Sequence, residues 1–325
     1  MIECAEVLTT LFEPERKEWG ERLTMVDPEA FSRGRFLLQL YQAAGRSRAM
    51  ILNGSIAGYR DVLAAMLIAR RSRRPILILT DCTWKVGDSR IDRFLRRLGI
   101  RLIDRPEVYY CVLSSHEAER FPRTWGVAPR KVFFTPWYHG LSEADLEAPT
   151  SEDGAIFAGG DSLRDYGPLL EAARGLPVEV IIGSRFFRSE SAPPNVTIGP
   201  VSPQRYVELA RRASAVVVPL EAREDRSAGQ CTYLNAMAFG KVAIVTDVLG
   251  VRDYIEHRKT GWIVPPHDPE ALREALRWVS DPNNREEVKR IGARAREVAR
   301  NRFGPDNYSA RLLDVLDTIL RSSSV

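Results

Sequence analysis

The chain has 325 residues, 44% of them apolar and 28% charged, which is an ordinary globular mixture with length for about two domains, each with its own core. Collagen, coiled coil, miniprotein and intrinsic disorder are excluded. The net charge of +4 is uneven: residues 1–150 hold 23 basic and 19 acidic side chains, while residues 151–325 hold 24 of each.

Glu3, Glu6, Glu13 and Glu15 precede any sustained apolar stretch, the reverse of a secretory signal, so a cytoplasmic protein is expected. The longest apolar runs, at 64–69 and 213–220, fall well short of the ~20 residues of a spanning helix. Cys4, Cys82, Cys111 and Cys231 form no C-x-x-C pair and no cluster with histidine; they read as reduced core thiols.

Strands are predicted at 49–52 and 76–80, with a helix over 60–70 between them. Between Arg60 and Arg105, 12 Lys and Arg face 5 Asp. Within 90–105 the apolar positions 91, 94, 95, 98 and 102 follow helical spacing, with arginines on the other face. Two readings of this basic helix are open: a solvated outer helix packed on its own sheet, or a peripheral membrane contact meeting anionic lipid or a phosphorylated acceptor. No helix-turn-helix, zinc-finger or aromatic RNA platform accompanies the charge, so nucleic acid is not an expected partner. A strand at 108–113 follows. The acidic, aperiodic stretch 141–154 suits a linker and sets the domain boundary near 148, giving domains 1–148 and 149–325.

In the second half, strands at 155–158, 178–182, 196–198, 215–219, 242–246 and 262–264 alternate with helices. Ser202 followed by Pro203, and Asp268 followed by Pro269, mark two helix starts. The alternation argues a parallel, doubly wound sheet. A last amphipathic helix at 307–321 is open to packing on either domain. Two such domains place a ligand cleft at the C-terminal ends of their strands.

Residues 226–247 combine a loop of small residues (Ser227, Ala228, Gly229), a short helix ended by Gly240 and a β-branched strand. Such a loop brings the open N–H groups of a helix N-terminus close to a ligand, which suits phosphate. A diphosphate needs a cation as well, and Arg164, in the loop Gly159-Gly160-Asp161-Ser162-Leu163-Arg164, is the candidate.

Residues 155–300 resemble the nucleotide-sugar-binding domain of the retaining glycosyltransferases of family 4. The matching segments are Leu234-x-Ala236-Met237-Ala238-x-Gly240-Lys241, the strand ending at Asp247, Gly250 with Asp253, and the run that begins Thr260-Gly261-Trp262. In the first half the likeness rests on 112–120 and 131–140, and the family's glycine-rich N-terminal loop is absent. The resemblance implies the α/β GT-B fold, two Rossmann-like doubly wound domains facing a central cleft. It implies retaining transfer from a nucleoside-diphosphate-sugar to a saccharide, lipid-linked sugar or small molecule. There is no Asp-x-Asp metal clamp, so neither metal nor cofactor is expected.

Carried over by position, Arg164 takes the place of the diphosphate-binding lysine and Gly159 that of an arginine before it. Ser227 and Asn235 stand where the family has glutamates that contact the donor sugar and the ribose. Arg164 and Ser227 are thus the expected catalytic positions. Gly159, Gly160, Gly183, Ser184, Arg185, Val201, Ala228, Gly229, Gln230 and Asn235 are expected to contact the donor, Arg185 as a second cation. Asn53, Ser55, Lys85 and His116 are acceptor-side candidates, with Asp81 and His139 beside them. The altered glutamate positions keep a noncatalytic nucleotide-sugar-binding partner subunit as an alternative, and a GT-B sugar-nucleotide epimerase is another. A redox Rossmann enzyme would need a Gly-x-Gly-x-x-Gly that is not present.

Overall fold

The computed structural model describes residues 7–11, 23–55, 59–149, 154–223 and 226–322. The chain divides into two compact units, one running to Pro136 and resuming at Tyr308, the other spanning Trp137–Asn307.

In the first unit, β1 (Val7–Thr9), β2 (Thr24–Met25), β3 (Ala49–Asn53), β4 (Ile76–Thr80), β5 (Val108–Val112) and β6 (Val132–Phe134) form one parallel sheet in the order β2-β1-β3-β4-β5-β6. Helices α1 (Arg33–Ala43), α2 (Tyr59–Ile68), α3 (Arg90–Ile103) and α4 (Ser115–Trp125) connect them. Met50, Leu52, Leu77 and Leu79 of the sheet pack on Phe36, Leu40, Ala65, Ile68 and Ile100.

The second unit holds β7 (Ile156–Gly159), β8 (Val180–Gly183), β9 (Val196–Gly199), β10 (Ala215–Val218), β11 (Val242–Thr246) and β12 (Trp262–Val264), parallel in the order β12-β11-β10-β7-β8-β9. Its helices are α5 (Glu143–Glu147), α6 (Gly167–Ala173), α7 (Pro203–Arg212), α8 (Gln230–Ala238), α9 (Pro269–Ser280) and α10 (Arg285–Arg302). Alternate residues of β10 serve opposite cores: Val216 and Val218 join Phe157, Tyr233 and Met237, whereas Ala215 and Val217 join Ile156, Val180 and Leu272. A sheet covered on both faces has no polar side to show, which is why its strands read as unbroken apolar runs. The helix starts follow the expected caps: Ser202 Oγ accepts from Arg205 N–H at 3.2 Å, and Asp268 Oδ1 from Ala271 N–H at 2.8 Å. Both sheets are six-stranded, parallel and flanked by helices, as two doubly wound domains require.

Several expectations are corrected. The division falls after Pro136, not near 148. Residues 137–147 belong to the second unit because Trp137 N–H donates to the Tyr254 hydroxyl at 2.9 Å and His139 N–H to Phe303 O at 3.0 Å. The supposed linker contains α5, opened by a reciprocal capping box between Ser142 and Asp145, with Leu141 and Leu146 in the core. The last helix, α11 (Pro305–Ser322), groups from Tyr308 onward with the first unit. Strands β1, β2 and β6 and helices α1, α4 and α10 add to the predicted elements. Cys82 and Cys111 are buried free thiols, and burial pushes the Cys111 thiol up to about 12. Cys231, expected in the core, is exposed, and Cys4 lies outside the described residues. Among the described residues no helix is long and apolar enough to cross a membrane.

Candidate functional site

In each sheet the strand order turns once, between β1 and β3 and between β7 and β10. Open α/β sheets bind ligands at such a switch point, beyond the C-terminal strand ends.

At the second unit's switch point, the loops leaving β7 and β10 run together. Arg164 and Leu220 form an antiparallel bridge, and Asp165 N–H donates to Pro219 O and Glu221 N–H to Leu163 O, both at 3.1 Å. Gly160 has φ 114°, and a Cβ there would lie 2.7 Å from Arg164 Nη2, so glycine alone fits. The half-buried Arg164 guanidinium donates through Nε to Gly159 O at 3.1 Å, Nη1 to Ser162 O at 2.7 Å and Nη2 to Thr232 Oγ1 at 3.0 Å. Three of its five N–H donors are thereby used among the described residues, and two remain.

Thr232 is in the first turn of α8, so the Arg164 cation sits at that helix's N-terminus. Gly229, with φ 85°, is the N-cap and supplies no side chain to the first-turn N–H groups. Those groups and the helix dipole favour an anion. Gln230, 6% exposed, adds an amide Nε2 with no hydrogen-bond partner among the described residues. A buried, unsatisfied donor costs about 1–3 kcal/mol, which a bound acceptor would recover. Ser227 lies buried three residues before α8, with Ala228 and Gly229 half-buried after it.

The remaining donor-side residues have mixed placements. A Cβ on Gly159 would strike the Tyr206 ring and lie 2.8 Å from Phe157 Cζ. The Tyr206 ring thus occupies the space into which a side chain at 159 would project. Burial raises the Tyr206 phenol against the lowering effect of its Thr232 bond, and that bond, 3.1 Å long, joins Tyr206, Thr232 and Arg164 in one chain. Val201 packs on Gly183, where a Cβ would come within 2.9 Å of its Cγ2. Arg185, expected as a second phosphate cation, pairs with Asp161 at 2.7 Å. Ser184 Oγ donates to the same carboxylate at 2.8 Å. Burial pushes the Asp161 carboxyl up, but these bonds outweigh it and hold the group below the usual range. Asn235, expected at the ribose, is buried and its Oδ1 accepts Gly140 N–H at 2.9 Å; its carbonyl fastens residues 137–140 to α8.

At the first unit's switch point, Asn53 ends β3. Its N–H donates to Thr10 Oγ1 at 3.3 Å and its Oδ1 accepts Ser55 N–H at 2.9 Å. Gly54 has no room for a Cβ, which would lie 2.6 Å from Thr80 O. Lys85 pairs with Asp88 at 2.6 Å, and His116 is exposed in the first turn of α4. Asp61, in the first turn of α2, is 4% exposed and its Oδ1 has no partner among the described residues. Burial raises its carboxyl to about 6 against the lowering effects of Thr10 and Arg60. Asp61, Thr10, Thr232, Tyr206 and Asp161 were not singled out from sequence. Only Thr232 left a signal there, as the third residue of the helix opened by Gly229. Among the described residues no group of three His, Cys, Asp or Glu could hold a metal ion.

Residues 193–298, about a third of the chain, match the family model described as glycosyl transferases group 1. The fold is the GT-B fold, and over that third of the chain the sequence is similar to the group 1 glycosyl transferases. Among individual proteins, the chain is 34% identical over 95 residues to the D-rhamnosyltransferase WbpZ of Pseudomonas aeruginosa, a stretch covering 29% of this chain and 24% of that relative. The match thus spans about a quarter of the relative's length. Sucrose-phosphate synthase from Thermosynechococcus elongatus superposes with a TM-score of 0.64 at 18% identity, over 92% of this chain and 81% of the other. HepE of Anabaena, solved with UDP-glucose, gives 0.65 at 14% identity over 96% and 91%.

Proposed function

We propose that the protein is a retaining, metal-independent glycosyltransferase of the family 4 type, which moves a sugar from a nucleoside-diphosphate-sugar to an acceptor received at the first unit's switch point. The observation that carries this reading is the Arg164 guanidinium, with two spare donors, held against the uncapped first turn of α8. A charge-assisted hydrogen bond from such a cation is worth about 1.5–3 kcal/mol, and the helix terminus adds about 0.3–1. Both act on the leaving group: as the bond between the anomeric carbon and the diphosphate breaks, negative charge gathers on the diphosphate oxygens. Pre-placed donors stabilise it without rearrangement. The acceptor hydroxyl attacks from the face the diphosphate leaves and gives its proton to a diphosphate oxygen, so no protein carboxylate is needed. That suits Ser227. HepE's UDP-glucose and the rhamnosyl transfer in WbpZ's name support a nucleotide-sugar donor.

Calorimetry against UDP, GDP, ADP and TDP tests the site: one of them should bind, and binding of none would overturn the reading. Turnover that persists in EDTA, and a product whose anomeric configuration matches the donor's, are the expected signs of metal independence and retention. A second reading, a noncatalytic nucleotide-sugar-binding subunit, is favoured by one observation: Ser227 carries no carboxylate and the Asn235 carbonyl is spent on Gly140. Binding without product from any donor and acceptor pair would select it.

A further inference from the structure

The basic helix α3 lies with its apolar stripe outward, the opposite of the packing expected for a helix on its own sheet. Ile91, Phe94, Leu95 and Leu98 are 73%, 63%, 56% and 41% exposed, while the residues that reach the core are Ile100 and Ile103. On the neighbouring α2, Tyr59, Leu63 and Leu67 recur at four-residue spacing and are also exposed. Between the two helices runs a groove of about 200 Å³ walled by Val62, Met66, Ile100 and Ile103, with Trp84 and Trp125. Scattered exposed apolar residues are ordinary, but seven large ones on two adjacent helices are a patch.

The charges beside the stripe select its partner. Arg90, Arg93 and Arg101 carry no side-chain partner among the described residues. Arg96 pairs with Asp92 and Arg97 donates to Thr124 O. Across residues 60–105, 12 basic side chains face 5 acidic ones, of which Asp88 and Asp92 are neutralised locally. We propose that this face docks on the surface of an anionic lipid bilayer. An amphipathic helix with low overall hydrophobicity and arginines along its polar side lies in the headgroup plane, its apolar side chains inserted about 5–10 Å. Phe94, Leu95, Leu98 and Ile91 would insert, and the three unpaired arginines would meet lipid phosphates. The inference does not depend on what the second unit binds.

The test is flotation of the full chain with vesicles of phosphatidylglycerol and phosphatidylcholine, against phosphatidylcholine alone. Binding to the anionic vesicles should exceed binding to the neutral ones and weaken as salt rises. Each arginine near the surface contributes about fivefold, so Arg90→Gln, Arg93→Gln and Arg101→Gln combined should reduce binding about a hundredfold. Phe94→Ser with Leu95→Ser should abolish binding even at low salt while the circular dichroism spectrum is kept. No binding to anionic vesicles, equal binding to both kinds, or indifference to either variant would overturn the proposal. So would a dimer seen by sedimentation velocity and dissolved by the serine variant in a chain that ignores vesicles, which would give the face to a second copy of the protein.

Discussion

The two switch points share a topology and differ in charge. In the second unit the gap between β7 and β10 receives Arg164, the open first turn of α8 and the unpartnered Gln230 amide. In the first, the gap between β1 and β3 receives Thr10, Asn53 and the buried Asp61 carboxyl, with no arginine bonded to the group among the described residues. Strand order decides where a pocket forms, because diverging loops must leave a space there. The side chains at the loop ends decide what it holds. One edge gathers a cation and hydrogen-bond donors, the other a hydroxyl, an amide and a buried carboxyl.

The largest expected effect tests the first unit's side of this contrast. Burial keeps the Asp61 carboxyl at about 6, above its ordinary 3.8, so between those values the folded chain holds a proton that the unfolded chain has lost. The protonated form's stability is complete below about 4 and is lost as pH rises to about 6. Asp61→Asn should therefore stabilise the protein at pH 7 by on the order of 2–3 kcal/mol and flatten urea midpoints between pH 4 and 6. An unchanged pH profile would show that Asp61 is not the buried acid described here. On the other side, Arg164→Ala should weaken binding of the nucleoside diphosphate by about 1–3 kcal/mol, while Asp61→Asn leaves that affinity unmoved. If the two variants changed affinity alike, the division of labour would fail.

Smaller changes sharpen the anion site. Thr232→Val keeps the side-chain volume but removes the oxygen shared by Arg164 and Tyr206. Calorimetry should show a loss of about 1 kcal/mol, roughly fivefold, and no loss would mean that Arg164 needs no orienting partner. The smallest effect belongs to Arg185, which is 70% exposed in its pair with Asp161. Arg185→Ala should shift stability by less than about 1 kcal/mol and leave diphosphate affinity unchanged; a loss comparable to that of Arg164→Ala would restore Arg185 as a second phosphate cation.

Much of the second unit was legible in its sequence. Runs such as Val242 to Thr246 are apolar because both faces of the sheet are covered, and Ser202 and Asp268 announce helix starts through hydrogen bonds that need only three or four residues of chain. Arg164 and the Gly229 loop were legible for the same local reason. Asp61 was not, since its burial depends on Thr10 and on strands far away in the chain. The pairing of Asn235 with Gly140 and of Arg185 with Asp161 was not legible either, because those partners reach them only once the loops have folded.

What the sequence by itself determined is the set of elements and their chemistry: twofold or 3.6-fold periodicity, caps and glycine turns are written in neighbouring residues, and so is a helix at 90–105 with one apolar and one basic face. Only the tertiary structure decided which way that helix turned, where the chain divides, and which polar groups became each other's partners. Periodicity states that a helix has two faces. Which of them meets water depends on what the rest of the chain leaves uncovered.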